Sequence, residues 1–564
     1  MASLLSNQAL PWGQRVSAKR QACYYALPAS WLLDQKLLES LETPWERCRN
    51  NMVELNAFRE SGILSERELR ITEQYNVAEL LGLISSGEIT ALEATLAFSK
   101  RAAIAQQLTN CLTETYFPQA QQRAKQLDLL RENGETVGPL HGLPISLKDT
   151  FQIKGSEATI GMVAFLDQAS TTNSCLVDIL NDLGAVLYCK TNVPQTLMTA
   201  DSDNNVFGRT LNPWNTALTA GGSSGGEGAL IAMRGAAIGV GTDVAGSIRI
   251  PALCCGTYGF RPTTGRIPYG KQRGCANPGF RPIPPCAGPL SNDIDSLPIF
   301  MKAVLSANPR RYDATATDVP WREIQGSSAR KLRLGLVPED PRIPLHPPVQ
   351  AALKEAVHLL EKQGHEIVKL SPEECRVDQA CQVSWSLLGL DDMPNRRVLE
   401  AGETAVPSRL RFQQAISKMG MEHVADIHGL DPLQKYAALT VKRASIADDW
   451  NQLWVSKRLD AVVAPAAQNS AVEHDEFNVP AYTVFLNLLD YPACVIPFGK
   501  VAGIEVNFKV GSGQSTPQYN PKALEGAPLS IQVFTSSMRD EECLDVAKVV
   551  DECLRQGDSH KARF

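Results

Sequence analysis

The sequence predicts an α/β fold, with one large domain built on a mixed β-sheet flanked by helices and a helical N-terminal extension before it. Between about 135 and 290, glycine is dense and short apolar segments alternate with Gly, Ser and Thr clusters. After about 325, apolar strands and amphipathic helices follow one another. At about 150 residues per domain the length would suggest three or four domains. Because no linker or break in composition appears, we expect an extension over 1–90 and one domain over 91–564.

The composition excludes several classes of protein. Lys and Arg total 55 against 61 Asp and Glu, a formal net charge of −6, which argues against a nucleic-acid-binding protein. The 14 cysteines contain no C-x-x-C pair, so we expect reduced, structural thiols and no metal site. The chain has neither a secretory signal nor an apolar run long enough to span a membrane. We therefore expect a cytoplasmic protein without a membrane anchor.

The first 90 residues are polar and helical in pattern. Ser65 and Glu68 have the spacing of a helix-capping box, and apolar residues recur at helical spacing over 77–84. A further helix is predicted from about Ala91. No catalytic grouping occurs in this stretch, and we expect it to pack on the main body, where it offers a possible homodimer contact.

The elements of the main domain follow from short apolar runs and their end signals. The first three predicted strands each end just before polar loop residues, as expected where a sheet carries a functional site: 144–147, 185–189 and 236–240. Beyond them we predict a strand over 331–337, a helix over 347–362 and a strand over 365–370. A long helical stretch follows to about 455, and then strands over 459–463 and 493–498.

The chemistry concentrates in residues 219–256, where two Gly-rich loops carry Ser223 and Ser247, 24 positions apart. Lys148 directly follows a predicted strand, 75 residues before Ser223. Glycine lets backbone N–H groups approach a ligand closely. Because Ser247 precedes a predicted helix, amides around it could stabilise an oxyanion, an effect of about 3–4 kcal/mol per donor.

A serine nucleophile needs a base, and the residues favour lysine over histidine. The pattern G-x-S-x-G occurs at 221–225 and 222–226, but no convincing strand precedes it as a nucleophile elbow requires. None of the 8 histidines has a recognisable triad setting. A buried Lys148 would be neutral and able to accept a proton. Both features also have a purely structural interpretation: the Gly-Ser segment could be an ordinary turn, and Lys148 and Asp149 could form a solvated pair. A nucleotide-binding site is disfavoured because the phosphate-loop patterns are incomplete.

These segments closely resemble the amidase signature family. The resemblance rests on HGLPISLKD, KTNVPQT and GGSSGGEGALIAMRGAAIGVGTDVAGSIRIPALCCGTYGFRPT, and it extends to DYPACVIPFG at 490–499. Its core covers about 135–290. With TNCLTE at 109–114 and Glu227 after the Gly pair, the chain is most similar to the fungal acetamidase or general amidase branch, to which fatty acid amide hydrolases are related.

The resemblance implies a Ser-Ser-Lys triad without cofactor or metal. Ser247 would be the nucleophile, Ser223 a bridging serine in a cis peptide, and Lys148 the base. The oxyanion would be held by the backbone amides of Val244, Ala245, Gly246 and Ser247. Supporting and substrate-contacting positions are also implied: Ser224, Asp243 and Arg249 for support, and Leu197 and Thr199 for the substrate.

One position departs from the family. Two glycines usually precede the nucleophile, and this chain has Ala245-Gly246. An alanine disfavours positive φ, so it would distort the oxyanion site if that backbone needs φ > 0 and would cost little otherwise. Its methyl group could also narrow the acyl pocket.

The expected activity is hydrolysis of a small-molecule carboxamide to the acid and ammonia or an amine. Three alternatives stay open at this point. The chain could be an amidotransferase subunit that releases ammonia from glutamine for a partner, a lipid-amide hydrolase, or a catalytically silent binding homologue, for which Ala245 is the reason.

Overall fold

An 11-stranded mixed β-sheet is the centre of the computed structural model, and helices flank it. The structure describes residues 11–557, apart from 325, 327–329, 420–421, 504 and 512. The strands are β1 (Leu112–Thr115), β2 (Pro144–Lys148), β3 (Val186–Thr191), β4 (Ile238–Asp243), β5 (Tyr258–Arg261), β6 (Cys286–Ser291), β7 (Arg333–Leu336), β8 (Glu366–Lys369), β9 (Ala461–Pro465), β10 (Ala493–Lys500) and β11 (Pro528–Phe534).

The strands lie in the order β1-β3-β2-β4-β6-β5-β10-β11-β9-β7-β8. Two groups are parallel, β3-β2-β4 and β9-β7-β8, and the other neighbours pair antiparallel. Of the strands in the parallel groups, β2, β3, β4 and β9 are almost entirely buried, as parallel sheets covered by helices usually are, whereas β7 is partly buried and β8 is more exposed. This mixed sheet confirms the predicted fold class.

The N-terminal segment is helical, as predicted, and begins within the described residues at Trp12. Its helices are α1 (Trp12–Tyr25), α2 (Gln35–Glu39), α3 (Ala57–Glu60), α4 (Glu66–Glu73) and α5 (Val77–Ser86). The Ser65–Glu68 capping box forms, with each side chain accepting from the other residue's amide. Buried residues such as Trp31 and Leu69 belong to the same apolar core as the sheet. The boundary at residue 90 stays a prediction.

The remaining helices connect the strands, except for the first, which precedes β1, and the last, which follows β11. They are α6 (Ala91–Thr109), α7 (Phe117–Glu132), α8 (Cys175–Asp182), α9 (Gly225–Ala232), α10 (Arg249–Cys255), α11 (Ser296–Ser306), α12 (Pro347–Lys362), α13 (Pro372–Cys375), α14 (Val377–Leu388), α15 (Met393–Glu400), α16 (Pro407–Lys418), α17 (Pro432–Ser456), α18 (Ala481–Leu489), α19 (Pro521–Leu524) and α20 (Asp540–Gly557). The predicted helix over 347–362 is α12 with the same bounds. The predicted long helical stretch to about 455 is a series of separate helices, α13 to α17, because turns interrupt it.

All 14 cysteines are free thiols, and all but Cys23 and Cys48 are buried. Burial raises the pKa of thiols such as Cys111 to about 12, which keeps them protonated and unreactive. Among the described residues, no cluster of His, Cys, Asp and Glu has the geometry to hold a metal ion. None of the helices described there is long and apolar enough to cross a membrane.

Candidate active site

The site lies where two parallel strands end side by side. β2 ends at Lys148 and β4 ends at Asp243, and the two strands pair with Ser146 opposite Gly239. The carboxyl ends of neighbouring parallel strands meet at one edge of a sheet, which is where α/β proteins usually bind ligands. The Gly-rich loop that leads into α9 contacts Lys148 at this edge through Ser223, and the loop that leads into α10 begins directly after β4.

Lys148 is fully buried and is hydrogen-bonded to the first serine. Its Nζ donates to Ser223 Oγ at 2.6 Å and to Thr242 Oγ1 at 2.9 Å. Burial lowers the pKa of Lys148 to about 7, although the charges of Asp243 and Glu227 oppose that shift. A large fraction of the lysine is thus neutral near physiological pH and able to act as a base.

The two serine loops are joined to each other. Ser223 and Ser247 are 3% and 7% exposed, so both are shielded from bulk water. The Ser224 amide donates to the Ser247 carbonyl at 3.1 Å. The Gly222–Ser223 peptide is cis, as the resemblance implies. Gly222 packs so tightly that a Cβ there would lie 2.4 Å from the Thr199 carbonyl oxygen.

A carboxylate at the end of β4 shapes the loop of Ser247. Asp243 accepts hydrogen bonds from the amides of Gly246 at 2.7 Å and Ile248 at 3.2 Å. It also pairs with the fully buried Arg249 at 3.1 Å. Burial alone would raise the pKa of Asp243, but the charge and hydrogen bonds of Arg249 hold it below its ordinary value. Asp243 and Arg249 therefore lie where support of the loop was predicted.

Gly246 meets two requirements of this loop that sequence reasoning did not foresee. Its φ is +119°, and a Cβ would lie 2.3 Å from Thr483 Oγ1. Its amide is already donated to Asp243, so the predicted set of four oxyanion donors needs correction for this residue. The loop turns back onto the carboxylate at the end of β4, and this leaves Val244, Ala245 and Ser247 as the predicted donors.

Ala245, the departure from the family pattern, does not have a positive φ. The alanine in place of the usual glycine therefore costs little stability, because an alanine adopts this backbone without strain. Ala245 lines the cavity beside Ser247, and its carbonyl accepts a hydrogen bond from Thr483 Oγ1 at 2.8 Å.

A small cavity of about 20 Å³ opens onto Ser247. Most of the residues predicted to contact substrate line it: Leu197, Thr199, Val244, Ala245 and Ser247. The other lining residues are Met198, Ala200, Gly222 and Ile250, and three from the C-terminal half of the chain, Trp385, Phe412 and Pro480. The rings of Trp385 and Phe412 pack edge to face with centroids 4.8 Å apart. None of these lining residues carries a charge.

Two polar residues of α18 were missed from the sequence. Thr483 donates to the Ala245 carbonyl, and Asn487 Nδ2 donates to Asp243 Oδ1 at 2.8 Å. Asn487 Oδ1 in turn accepts from Arg249 at 2.6 Å. The available signal was the spacing of these two residues, which places them on one face of an otherwise apolar helix.

We expect Gly246→Ala to damage the site, because the new methyl group would collide with Thr483 and the backbone would be strained. The free energy of unfolding should fall by about 1–3 kcal/mol and hydrolysis should drop at least tenfold. Ala245→Gly is the matched control next to it and should keep most of the activity. Chemical denaturation and amide hydrolysis measure both effects, and a fully active, stable Gly246→Ala variant would contradict this account of the loop.

Comparison with known proteins agrees with this architecture. The Amidase family model matches residues 93–544. An amidase of Gibberella moniliformis is 37% identical over 96% of this chain and 99% of its own length. An acetamidase of Emericella nidulans is 36% identical over 88% of this chain and 92% of its own length. The structure of a fatty acid amide hydrolase superposes with a TM-score of 0.85 at 28% identity, covering 98% of this chain and 96% of that one.

The fold and the matches to known proteins together show that this chain is a hydrolase acting on amide C–N bonds. The chain belongs to the amidase family, as the family model spans most of it.

Proposed function

We propose that this amidase hydrolyses its substrate through an acyl-enzyme on Ser247, with Ser223 and Lys148 as the proton relay. The observation that carries the proposal is the 2.6 Å hydrogen bond between Lys148 Nζ and Ser223 Oγ. It joins a buried lysine, with a pKa lowered to about 7 by burial, to the loop beside Ser247. A nucleophile, a base and a group between them form the arrangement that activates a serine.

The reaction follows from these positions. Neutral Lys148 accepts the Ser223 proton, Ser223 accepts the Ser247 proton, and the Ser247 oxygen attacks the amide carbonyl carbon. Backbone amides of Val244, Ala245 and Ser247 stabilise the oxyanion of the tetrahedral intermediate. The relay returns the proton to the leaving nitrogen, the C–N bond breaks, and ammonia or an amine departs. Water then attacks the ester, which frees the carboxylic acid and restores Ser247.

The cavity supports a small, uncharged acyl group. Its volume is about 20 Å³, and its lining offers apolar side chains, hydroxyl groups and the indole N–H of Trp385, but no charged group. Burying a charged group there would be costly because no opposite charge lines the cavity. The name of the Emericella relative, an acetamidase, is in keeping with a short acyl group. The substrate class we propose is a short aliphatic or small aromatic carboxamide.

The same cavity weighs against two of the alternatives. Glutamine carries an α-ammonium and an α-carboxylate, for which the lining residues provide no partner, so an amidotransferase subunit is disfavoured. A long acyl chain needs a longer apolar channel than this cavity offers. Ala245 does not argue for a silent homologue, since its backbone is unstrained.

A fluorophosphonate tests the nucleophile without knowledge of the substrate. We expect one adduct on Ser247, located by peptide mass spectrometry, and hydrolysis of acetamide or benzamide by the purified chain. A folded protein that forms no adduct would favour the silent homologue. Ammonia release from glutamine only, or cleavage of long-chain amides only, would favour the corresponding alternative.

Trp385→Ala should widen the range of acyl groups, because the indole forms one wall of the cavity. We expect kcat/KM for bulkier amides to rise about tenfold relative to acetamide, the scale of one or two methylene groups in an apolar pocket. Leu410→Ala is the control, since Leu410 is an exposed residue of the neighbouring helix α16. An unchanged ratio of rates for hexanamide and acetamide would contradict this role of Trp385.

A further inference from the structure

One buried amide side chain, that of Gln195, joins two segments that lie 208 positions apart in the sequence. Its Nε2 donates to Glu403 Oε1 at 2.6 Å and to the Thr404 carbonyl at 2.9 Å. Its Oε1 accepts a hydrogen bond from the Val406 amide at 3.2 Å and a longer one from Arg409 Nη1 at 3.5 Å. Both ends of the amide are therefore bonded to the same distant segment of the chain.

The two joined segments each contribute to the lining of the cavity beside Ser247. Leu197 lies two positions after Gln195 and lines this cavity, and Phe412 lines it from the second turn of α16. Val406 is the N-cap residue of α16, and the amides at the start of a helix have no acceptor within the helix. The Gln195 side chain supplies that acceptor and so attaches the start of α16 to the loop. Because the cavity measures only about 20 Å³, a small shift of the helix relative to the loop would change its shape.

The loop directly after Gln195 has a strained backbone. Thr196 and Leu197 have φ angles of 65° and 63°, in the left-handed region that residues with a side chain rarely adopt. Such a conformation persists only where the surrounding structure holds it, and it often occurs at sites that bind a ligand. The Gln195 amide donates to the Asp203 carbonyl at 2.9 Å, and Cys275 Sγ donates to the Thr196 carbonyl at 3.3 Å. The hydrogen bonds of the Gln195 side chain add a further attachment immediately before the strained pair.

The segment that holds Gln195 is itself fixed to the body of the protein. Glu403 is buried, and its Oε2 accepts from the Val163 amide at 2.9 Å. Asn205 Nδ2 donates to Glu403 Oε1 at 3.1 Å and to the Thr404 carbonyl at 2.7 Å, the same two acceptors that Gln195 uses. A buried polar network whose members are hydrogen-bonded favours a single arrangement of the elements that carry it. The network therefore specifies where the start of α16 lies relative to the loop.

We propose that Gln195 is a positioning residue that sets the acyl-group specificity of this amidase, by holding the start of α16 to the strained loop. The inference rests on the proposed function, in which the cavity beside Ser247 receives the acyl group. It assigns Gln195 no contact with the substrate, because both ends of its amide are already bonded. Its effect on the substrate is transmitted through Leu197 and Phe412, which line the cavity.

Gln195→Met keeps the approximate size of the side chain and removes the hydrogen bonds of the amide. Without them, α16 and the loop are free to shift, and the cavity no longer fits a short acyl group closely. We expect KM for acetamide to rise about tenfold while kcat changes much less, and kcat/KM for hexanamide relative to acetamide to rise about tenfold. Steady-state hydrolysis of both amides measures these changes, and chemical denaturation measures the stability of the variant.

Gln107→Met is the matched control. Gln107 also joins two segments through both ends of its amide, because its Oε1 accepts from the Leu33 amide at 2.8 Å and its Nε2 donates to the Trp31 carbonyl at 2.9 Å. It lies in α6, an element that contributes no described residue to the lining of the cavity. Its replacement should lower the stability as well, but it should leave KM for acetamide and the ratio of the two rates unchanged.

The kinetics of these variants decide the inference. A folded Gln195→Met protein with the wild-type KM and an unchanged ratio of rates would overturn it. An equal change in Gln107→Met would also overturn it, because the effect would then follow from lost stability. If Gln195→Met fails to fold, the partly exposed Asn205 offers a milder change: Asn205→Ala should move the ratio in the same direction by a smaller factor, and no movement would overturn the inference. Failure of the proposed function looks different, since a fluorophosphonate would then not label Ser247 of the wild type.

Discussion

Ser247→Ala should reduce amide hydrolysis by about 10⁴-fold or more while the fold stays intact. Removal of the nucleophile has this effect because the groups of a catalytic triad act together, and without the nucleophile the others no longer accelerate the reaction. The serine lies in a loop held by Asp243 and Thr483 through backbone groups, so the loss of one hydroxyl leaves those contacts unchanged. Steady-state hydrolysis and fluorophosphonate labelling measure the loss, and thermal denaturation checks the fold.

Ser99→Ala is the matched control for this prediction. Ser99 is also buried, lies in α6, and its hydroxyl has no hydrogen-bond partner among the described residues. Its replacement should leave the rate unchanged. Substantial turnover in Ser247→Ala would show that another group is the nucleophile.

Lys148→Ala and Lys148→Met should each reduce hydrolysis by about 10²–10⁴-fold, the usual contribution of a general base. In the wild type the rate should rise with pH through the lysine pKa of about 7, because only the neutral amine accepts a proton. Neither variant has this amine, so the rise of the rate with pH should disappear. A variant whose rate still rises at the same pH would show that a different group titrates.

The stability of the same variants provides an independent check. Burial lowers the pKa of Lys148 from 10.5 to about 7, so between these values the unfolded chain binds more protons than the folded one. The free energy of unfolding of the wild type should therefore gain from this group as pH rises through that window. Lys148→Met should lack this gain and keep a stable fold at neutral pH.

A second buried lysine supplies the contrast. Lys190 is paired with Asp149 at 2.9 Å, so Lys190→Met leaves a buried carboxylate without its counter-charge. That variant should lose about 3–5 kcal/mol of stability. Equal stability losses in Lys148→Met and Lys190→Met would contradict the picture of Lys148 as an unpaired, partly neutral amine.

The predicted elements were accurate where local pattern and tertiary environment agree. The helix over 347–362 has a strong apolar repeat and a Pro-rich start, and α12 has the same bounds. The strands beside the site extend further than predicted, to Thr191 in β3 and Asp243 in β4. Their last residues are polar or glycine, which suggested loops, but pairing with β2 and β6 keeps them in the sheet.

The candidate site divides in a similar way. Lys148, Ser223 and Ser247 lie in dense local motifs, so their types and spacing made them candidates, and the family resemblance implied their roles. Trp385, Phe412 and the polar residues of α18 come from elements far along the chain, and only the folded sheet brings them to the same loop. Glu227 stood in the motif as a mark of the family branch. Its hydrogen bonds with Ser146 of β2 and Thr191 of β3 became visible only in the folded sheet.

The sequence by itself indicated the α/β class, the two serine loops and a lysine as candidate base, because short-range patterns of glycine, serine and apolar residues express these features directly. The tertiary structure decided the environment of those groups. It showed that Ala245 is unstrained, that Gly246 donates its amide to Asp243, and that an aromatic pair lines the cavity beside Ser247. Burial, backbone angles and charge proximity are properties of packed elements, so no local pattern could supply them.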